Sequence, residues 1–236
     1  MKEHYDLVIL GAGAAGLMCA LTAGQRGRRV LVLEKANKVG KKILMSGGGR
    51  CNFTNLAVEA DNFICANPHF CKSALSRYTQ WDFIALVERH GIDYEERKHG
   101  QLFCLHSARD ILDMLLSECD LAGVEIQTHC DIASIELTGS KDASANDRRA
   151  RYSLVYSHAS ESHTADCSSL VVATGALSIP TLGGSGQGYD IASQFNIPLK
   201  PRRAGLVPFM FSDSTTANAA SNSIISLCTR LFMFFL

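Results

Sequence analysis

Near the amino terminus, Gly11-Ala12-Gly13-Ala14-Ala15-Gly16 sets three glycines at the spacing G-x-G-x-x-G. Gly11 permits a tight turn. Gly13 lets an anion approach the backbone where any Cβ would collide with it, and Gly16 lets helix and strand pack closely. The amides that open the following helix carry partial positive charge and face that anion. Glu34 closes the next strand. Its carboxylate can accept hydrogen bonds from ribose hydroxyls and would repel a 2′-phosphate, which counts against NADP. Taken singly, Glu34 reads equally as a solvated charge and the glycines as ordinary turn residues. After a strand and before a helix, they read together as a dinucleotide site. The loop does not separate NAD from FAD.

Two further segments carry chemistry. Ser46-Gly47-Gly48-Gly49-Arg50-Cys51-Asn52 packs three glycines between hydrogen-bonding side chains and can set backbone amides against a ligand. Arg50 can pair with a phosphate or a ring carbonyl, and Lys41 and Lys42 precede it within reach of the same anion. The competing reading is a flexible surface loop. Ala173-Thr174-Gly175 follows the apolar run Leu170–Val172, and Gly183-Gly184-Ser185-Gly186-Gln187-Gly188 offers another close approach at a helix start. Two strand–glycine elements so far apart fit one cofactor held by a discontinuous domain. Cys51, beside Arg50, could favour a thiolate, but a small packing residue is the better reading. His99 and His106 read as solvated or core histidines, and the single tryptophan, Trp81, as core. No Ser/His/Asp set, carboxylate pair or metal cluster stands out among the eight histidines and their neighbours.

The elements that must position these residues follow from periodicity. Tyr5–Leu10 is a buried parallel-strand run, 14–25 has helical composition stopping near Gly27, and Arg29–Glu34 is a second strand, giving one βαβ unit. The span 35–55 is polar and glycine-rich. The span 73–90 is helical with a break near Trp81, and 107–122 is a helix capped by Ser107 with Asp110 in its first turn. Residues 124–137 read as two short strands, 138–149 as a polar loop, 151–156 and 170–173 as strands, and 189–195 as a helix.

Composition bounds the rest. Lys and Arg number 23 against 23 acidic residues, so net charge gives no case for a nucleic-acid partner. Nine cysteines, odd in number and without a CxxC pair, argue against a disulfide framework or zinc site and for a reducing cytoplasm. There is no signal-peptide core and no apolar run long enough to span a bilayer. A small-molecule substrate is the expectation.

The segments YDLVILGAGAAG, KKILMSGGGRCNFTN, HGQLFCLHSARDILDMLL, LVVATGALSIPTLG with GYDIA, and RAGLVPF occur in that order over residues 1–212. Together they resemble the BaiN/RdsA-like flavoproteins, also called YhiN-type or aminoacetone-oxidase-type. KILMSGGGRCNFTN carries most of that resemblance. The resemblance implies an α/β fold: a Rossmann-like FAD/NAD(P)-binding domain over residues 1–200, a parallel sheet with helices and a small antiparallel β layer. Residues 201–236 would then be the remnant of an inserted second domain plus a tail outside the family pattern. It implies FAD as cofactor, NAD(P)H as candidate reductant and hydride transfer through flavin N5. By the same analogy Ala12 and Ala14, within the cofactor-binding turn Gly11-Ala12-Gly13-Ala14-Ala15-Gly16, lie at the pyrophosphate, Glu34 and Lys35 at the adenosine ribose, and the backbone at Ile132 at the adenine. Lys42 and Ser46, Gly47, Gly48, Gly49, Arg50, Cys51 and Asn52 surround the flavin half, and Thr174 and Gly175 close the site. Ala176-Leu177 departs mildly from the family's Gly-rich continuation. The composition change after Ser212 and the missing glycine-rich flavin-contacting segment suggest a truncated or frameshifted tail. That leaves a second reading, a non-catalytic relic, and a third, an NAD-dependent dehydrogenase using the first βαβ unit alone.

Overall fold

The computed structural model describes residues 3–63, 66–138, 151–177 and 184–202. The anticipated polar loop at 138–149 after its first residue, Gly183 at the head of the second glycine run and nearly all of 201–236 lie outside them.

Strand β1 (Glu3–Leu10), helix α1 (Ala14–Gln25) and strand β2 (Val30–Leu33) form the βαβ unit. β1 pairs with β2 in parallel, and β6 (Glu125–Gln127) extends the sheet beyond β2. On its other side β1 pairs in parallel with β9 (Glu161–Val172), from Glu3 opposite Ala165 to Leu10 opposite Val172. β8 (Tyr152–His158) and β7 (Asp131–Leu137) follow antiparallel, giving the order β6-β2-β1-β9-β8-β7.

Alternation along β1 and β2 assigns each side chain to one of two cores. Leu7, Ile9, Val30 and Val32 join Leu17 and Ala20 of α1 and Leu115 of α5 (Ala108–Leu121). Val8, Leu10, Leu31 and Leu33 join Ile135, Leu154 and Tyr156 of the antiparallel strands and Ile191 of α6 (Gln187–Gln194). A strand buried on both faces loses its polar alternation, which is why YDLVIL and VLVL read as continuous apolar runs. Each fully buried aliphatic side chain contributes about 1.5–3 kcal/mol relative to exposure.

The span 35–55 is more ordered than its composition suggests. It holds α2 (Lys41–Met45), a 3₁₀ turn at Ser46–Gly49 and β3 (Asn52–Asn55). β3 joins β5 (Gln101–Cys104) and β4 (Tyr94–Glu96) in a three-stranded antiparallel sheet. Helices α3 (Lys72–Arg77) and α4 (Gln80–Arg89) meet at Tyr78-Thr79, a little before the break anticipated at Trp81. Thr79 caps α4, accepting from the Asp82 amide while Asp82 accepts from the Thr79 amide. Trp81 is not a core residue: it is 57 % exposed, because the first turn of α4 directs it outward while Ile84, Leu86 and Val87 take the buried face.

Glu118 of α5 is buried and accepts from Gln25 of α1 at 2.9 Å, from Arg89 at 2.9 Å and from His90 at 2.7 Å if that ring nitrogen is protonated. The His90 and Arg89 bonds hold its carboxyl below the usual range against the cost of burial. One carboxylate thereby ties α4 to the α1–α5 layer. The described cysteines are all free. No described helix is long and apolar enough to cross a membrane.

Candidate functional site

The carboxyl ends of β1, β2 and β9 converge on one edge of the large sheet, where open α/β sheets hold ligands. Gly11 has φ +104°, and a Cβ there would lie 2.5 Å from the Ala173 carbonyl oxygen. The turn after β1 therefore touches the segment after β9, and only glycine fits between them. Gly16 packs as closely on its own turn, since a Cβ would lie 1.9 Å from the Gly11 oxygen. Gly13 differs: a Cβ there meets nothing within 4 Å. The requirement for glycine at this position does not come from the protein's own packing. Gly13 is also the N-cap of α1 and brings no side-chain acceptor to the helix amides, and the first turn holds no acidic residue. An uncapped helix start beside open space is a receptive anion site.

Glu34 turns toward this edge. Its Oε2 accepts from the Ala12 amide at 2.7 Å and its Oε1 from the Ala36 amide at 2.7 Å. Two backbone bonds fix the carboxylate beside the glycine turn. The following backbone runs along the β6–β7 connection: the His129 amide donates to the Ala36 oxygen and the Cys130 amide to the Glu34 oxygen. Lys35 Nζ lies 3.0 Å from Asp131 Oδ1 in an exposed pair. Ile132, two residues beyond Cys130, packs half-buried against the second core and sits at an irregularity in the β7–β8 register.

The second glycine segment is anchored to the first. The Gly40 amide donates to the Ala12 oxygen at 2.9 Å, and Gly40 itself is left-handed against Leu112. α2 then advances by about 7–8 Å, the rise of five helical residues, before Ser46. Gly47, Gly48 and Gly49 follow with φ of 57°, 67° and 89°. Gly47 lies against the Phe103 ring, whereas Cβ atoms on Gly48 and Gly49 would meet nothing. The Ser46 hydroxyl donates to the Ile43 oxygen, and the Cys51 amide to the Ser46 oxygen. The loop is thus a held turn, not a flexible linker.

Arg50 lies 3.6 Å from Glu95, which also accepts from Arg97, and its carbonyl accepts from the Cys104 amide. Cys51 is buried in the first core, where burial pushes its thiol up, as a packing residue and not a poised thiolate. Asn52 opens β3 opposite Phe103.

Thr174 and Gly175 complete the edge. Gly188, at the start of α6, approaches so closely that a Cβ would lie 2.9 Å from Thr174 Oγ1. A Cβ on Gly175 would lie 3.5 Å from Lys42 Nζ, so the Lys42 ammonium reaches from α2 to this third segment. All three glycine segments named from the sequence share one neighbourhood. The anchoring of Gly40 to Ala12 was not legible there, because an isolated glycine in a polar run carries no signal of its partner.

Residues 5–224 match the family described as HI0933-like protein, Rossmann domain. Over 207 residues the chain is 50 % identical to the ribosomal RNA dihydrouridine synthase of Escherichia coli (strain K12), covering 88 % of this chain and 48 % of that protein. It is 44 % identical over 238 residues to the protein of the same name from Haemophilus influenzae, covering 98 % of this chain and 57 % of that one. The chain therefore spans about half the length of these curated relatives. Among solved structures, the open conformation of a flavocytochrome c3 fumarate reductase superposes with a TM-score of 0.55 at 18 % identity, over 81 % of this chain and 40 % of that one. At that identity the likeness concerns the fold.

Proposed function

The chain belongs to the HI0933-like family through its Rossmann domain, and from that premise we propose that it grips FAD as the cofactor-binding part of a flavin-dependent oxidoreductase. One observation carries the reading: Glu34 is fastened to the Ala12 amide while the adjoining Gly13 opens onto space that no protein atom fills. In this reading the first amides of α1 offset the diphosphate charge. Glu34, already oriented by two backbone bonds, accepts from a ribose hydroxyl, with Lys35 at its side. Backbone atoms near Ile132 meet the adenine. α2 sets the distance from diphosphate to flavin, where the left-handed turn at Ser46–Gly49, with Arg50 and Asn52, and Lys42 with Thr174-Gly175 border the flavin half. FAD would supply hydride transfer at N5; the side chains bind, orient and exclude. NAD(P)H is the proposed reductant.

For the complete protein we propose uridine in ribosomal RNA as the substrate, in keeping with the name its relatives carry. Dihydrouridine is uridine saturated at C5–C6, the outcome of adding a hydride and a proton across that bond. This replaces the expectation of a small-molecule substrate without nucleic acid. A net charge of zero sums over the whole chain and does not report the local surfaces that hold RNA.

Titration of the purified chain with FAD, followed by quenching of flavin fluorescence, tests the cofactor. Saturable binding of FAD with weaker binding of NAD and NADP is expected. A folded chain, verified by circular dichroism, that takes up no FAD would overturn the proposal.

A further inference from the structure

We infer that the corner between α3 and α4, with the pocket beside it, is a binding site for single-stranded RNA in which Trp81 stacks on a nucleobase. The inference rests on the reading of RNA as substrate, and the residues it assigns to RNA are none of those assigned to FAD.

Between Asp61 and Asp82, which bound it, the chain has no acidic residue and carries His69, Lys72 and Arg77. The described residues of α3 include none that is buried, so the helix stands on the surface with its charges in water. Large aromatic side chains are exposed in the same stretch: Phe70 at 79 %, Tyr78 at 43 % and Trp81 at 57 %. Exposed aromatic rings interleaved with cations suit a strand whose phosphates need counter-charge and whose bases need flat surfaces. An interleaved surface of this kind fits a protein or lipid partner less well, since either would favour a contiguous apolar patch.

Trp81 also lines an open pocket of about 400 Å³, with Leu56, Tyr94, Glu88 and Glu96 among its walls. Glu88 is oriented by the Tyr94 hydroxyl, which donates to it at 2.8 Å. Carboxylates beside an aromatic wall would repel phosphate, but they accept from the amino groups of a base such as cytosine. The carboxylates thus stand in the pocket wall, for a base edge, and the cations lie on the neighbouring exposed helix α3, for the backbone.

The corner is tied to the flavin side. Gln80 donates to the Leu56 oxygen at 3.1 Å, and Leu56 follows β3, which begins at Asn52. Four strand residues span about 13 Å, so a base in the pocket would be a near neighbour in sequence of a uridine at the flavin loop.

Trp81 is the chain's single tryptophan, so its fluorescence reports this pocket directly. Titration of the intact chain with a short oligocytidylate should quench that emission saturably, and dextran sulfate, a polyanion without bases, should not. Trp81→Leu, followed by anisotropy of a labelled oligonucleotide, should weaken binding roughly 5- to 150-fold, the range that base–aromatic stacking supplies. Arg77→Glu should weaken binding and flatten its dependence on salt. FAD affinity and the circular dichroism spectrum should be unchanged in both variants. Equal quenching by dextran sulfate, or unaltered RNA affinity in Trp81→Leu, would overturn the inference. So would a fluorescence shift produced only by anionic vesicles, or a concentration-dependent mass that Trp81→Glu abolishes, which would assign the face to lipid or to a second copy. Loss of FAD uptake with RNA binding intact would count against the cofactor reading alone.

Discussion

Three glycines in one short turn hold their places for different physical reasons, and substitution separates them. Gly11 and Gly16 are excluded from carrying a Cβ by the protein itself, so Gly11→Ala should destabilise the fold by about 2–5 kcal/mol through collision with Ala173 and a left-handed φ. Gly13→Ala has no such collision. Its unfolding free energy from urea titration should stay within about 1 kcal/mol of the parent, while FAD affinity falls by about tenfold or more, equivalent to about 1.4 kcal/mol. Stability lost in step with affinity would show that Gly13 serves packing instead. The sequence alone identified the turn and Glu34, because the chemistry of close approach is written in glycine spacing. It could not tell which glycine opens onto space and which is pressed by protein, since that depends on Ala173, far along the chain.

At the level of elements, the sequence was legible where periodicity is strong. β1, α1, β2 and α5 lie within a residue or two of their expected bounds, and Ser107 caps α5 with Asp110 as anticipated. It was least legible over 35–55, where α2 and β3 are too short to show a period, and at Trp81, whose size suggested burial. Glu118 had no sequence signal at all; its meaning lies in partners on α1 and α4. Glu118→Ala should cost about 2–4 kcal/mol by leaving Gln25, Arg89 and His90 without their acceptor, measured by urea unfolding. A change under about 0.5 kcal/mol would demote it to an ordinary surface carboxylate. Because its carboxyl is held low in the folded state, Glu118 stabilises at neutral pH, and that contribution is lost as pH falls through its folded value.

For the whole molecule, the reduced, buried cysteines give a response to alkali. Burial pushes the thiols of Cys119 and Cys130 up to about 11 and those of Cys104 and Cys167 up to about 12. In the unfolded chain they would ionise near pH 8.5. Above that pH the unfolded state loses protons that the folded state retains, so stability should fall as pH rises, by about 1.4 kcal/mol per pH unit for each thiol until its folded value is reached. Replacing Cys167 by Ala should shallow that decline in thermal melts between pH 8.5 and 10.5; an unchanged slope would mean that other groups govern it.

The partnership of β1 with β9 bears also on the order of events at birth. β1 leaves the ribosome well before its partner, since the strand that completes its far side ends at Val172. Until then the nascent polypeptide exposes an unpaired apolar ribbon edge, and the crevice lacks its third wall, because Ala173 to Gly175 have not been made. Long-range pairing of this kind folds slowly and invites aggregation. The proposed nucleotide seat therefore stays unfinished until the turn after β9 has been made.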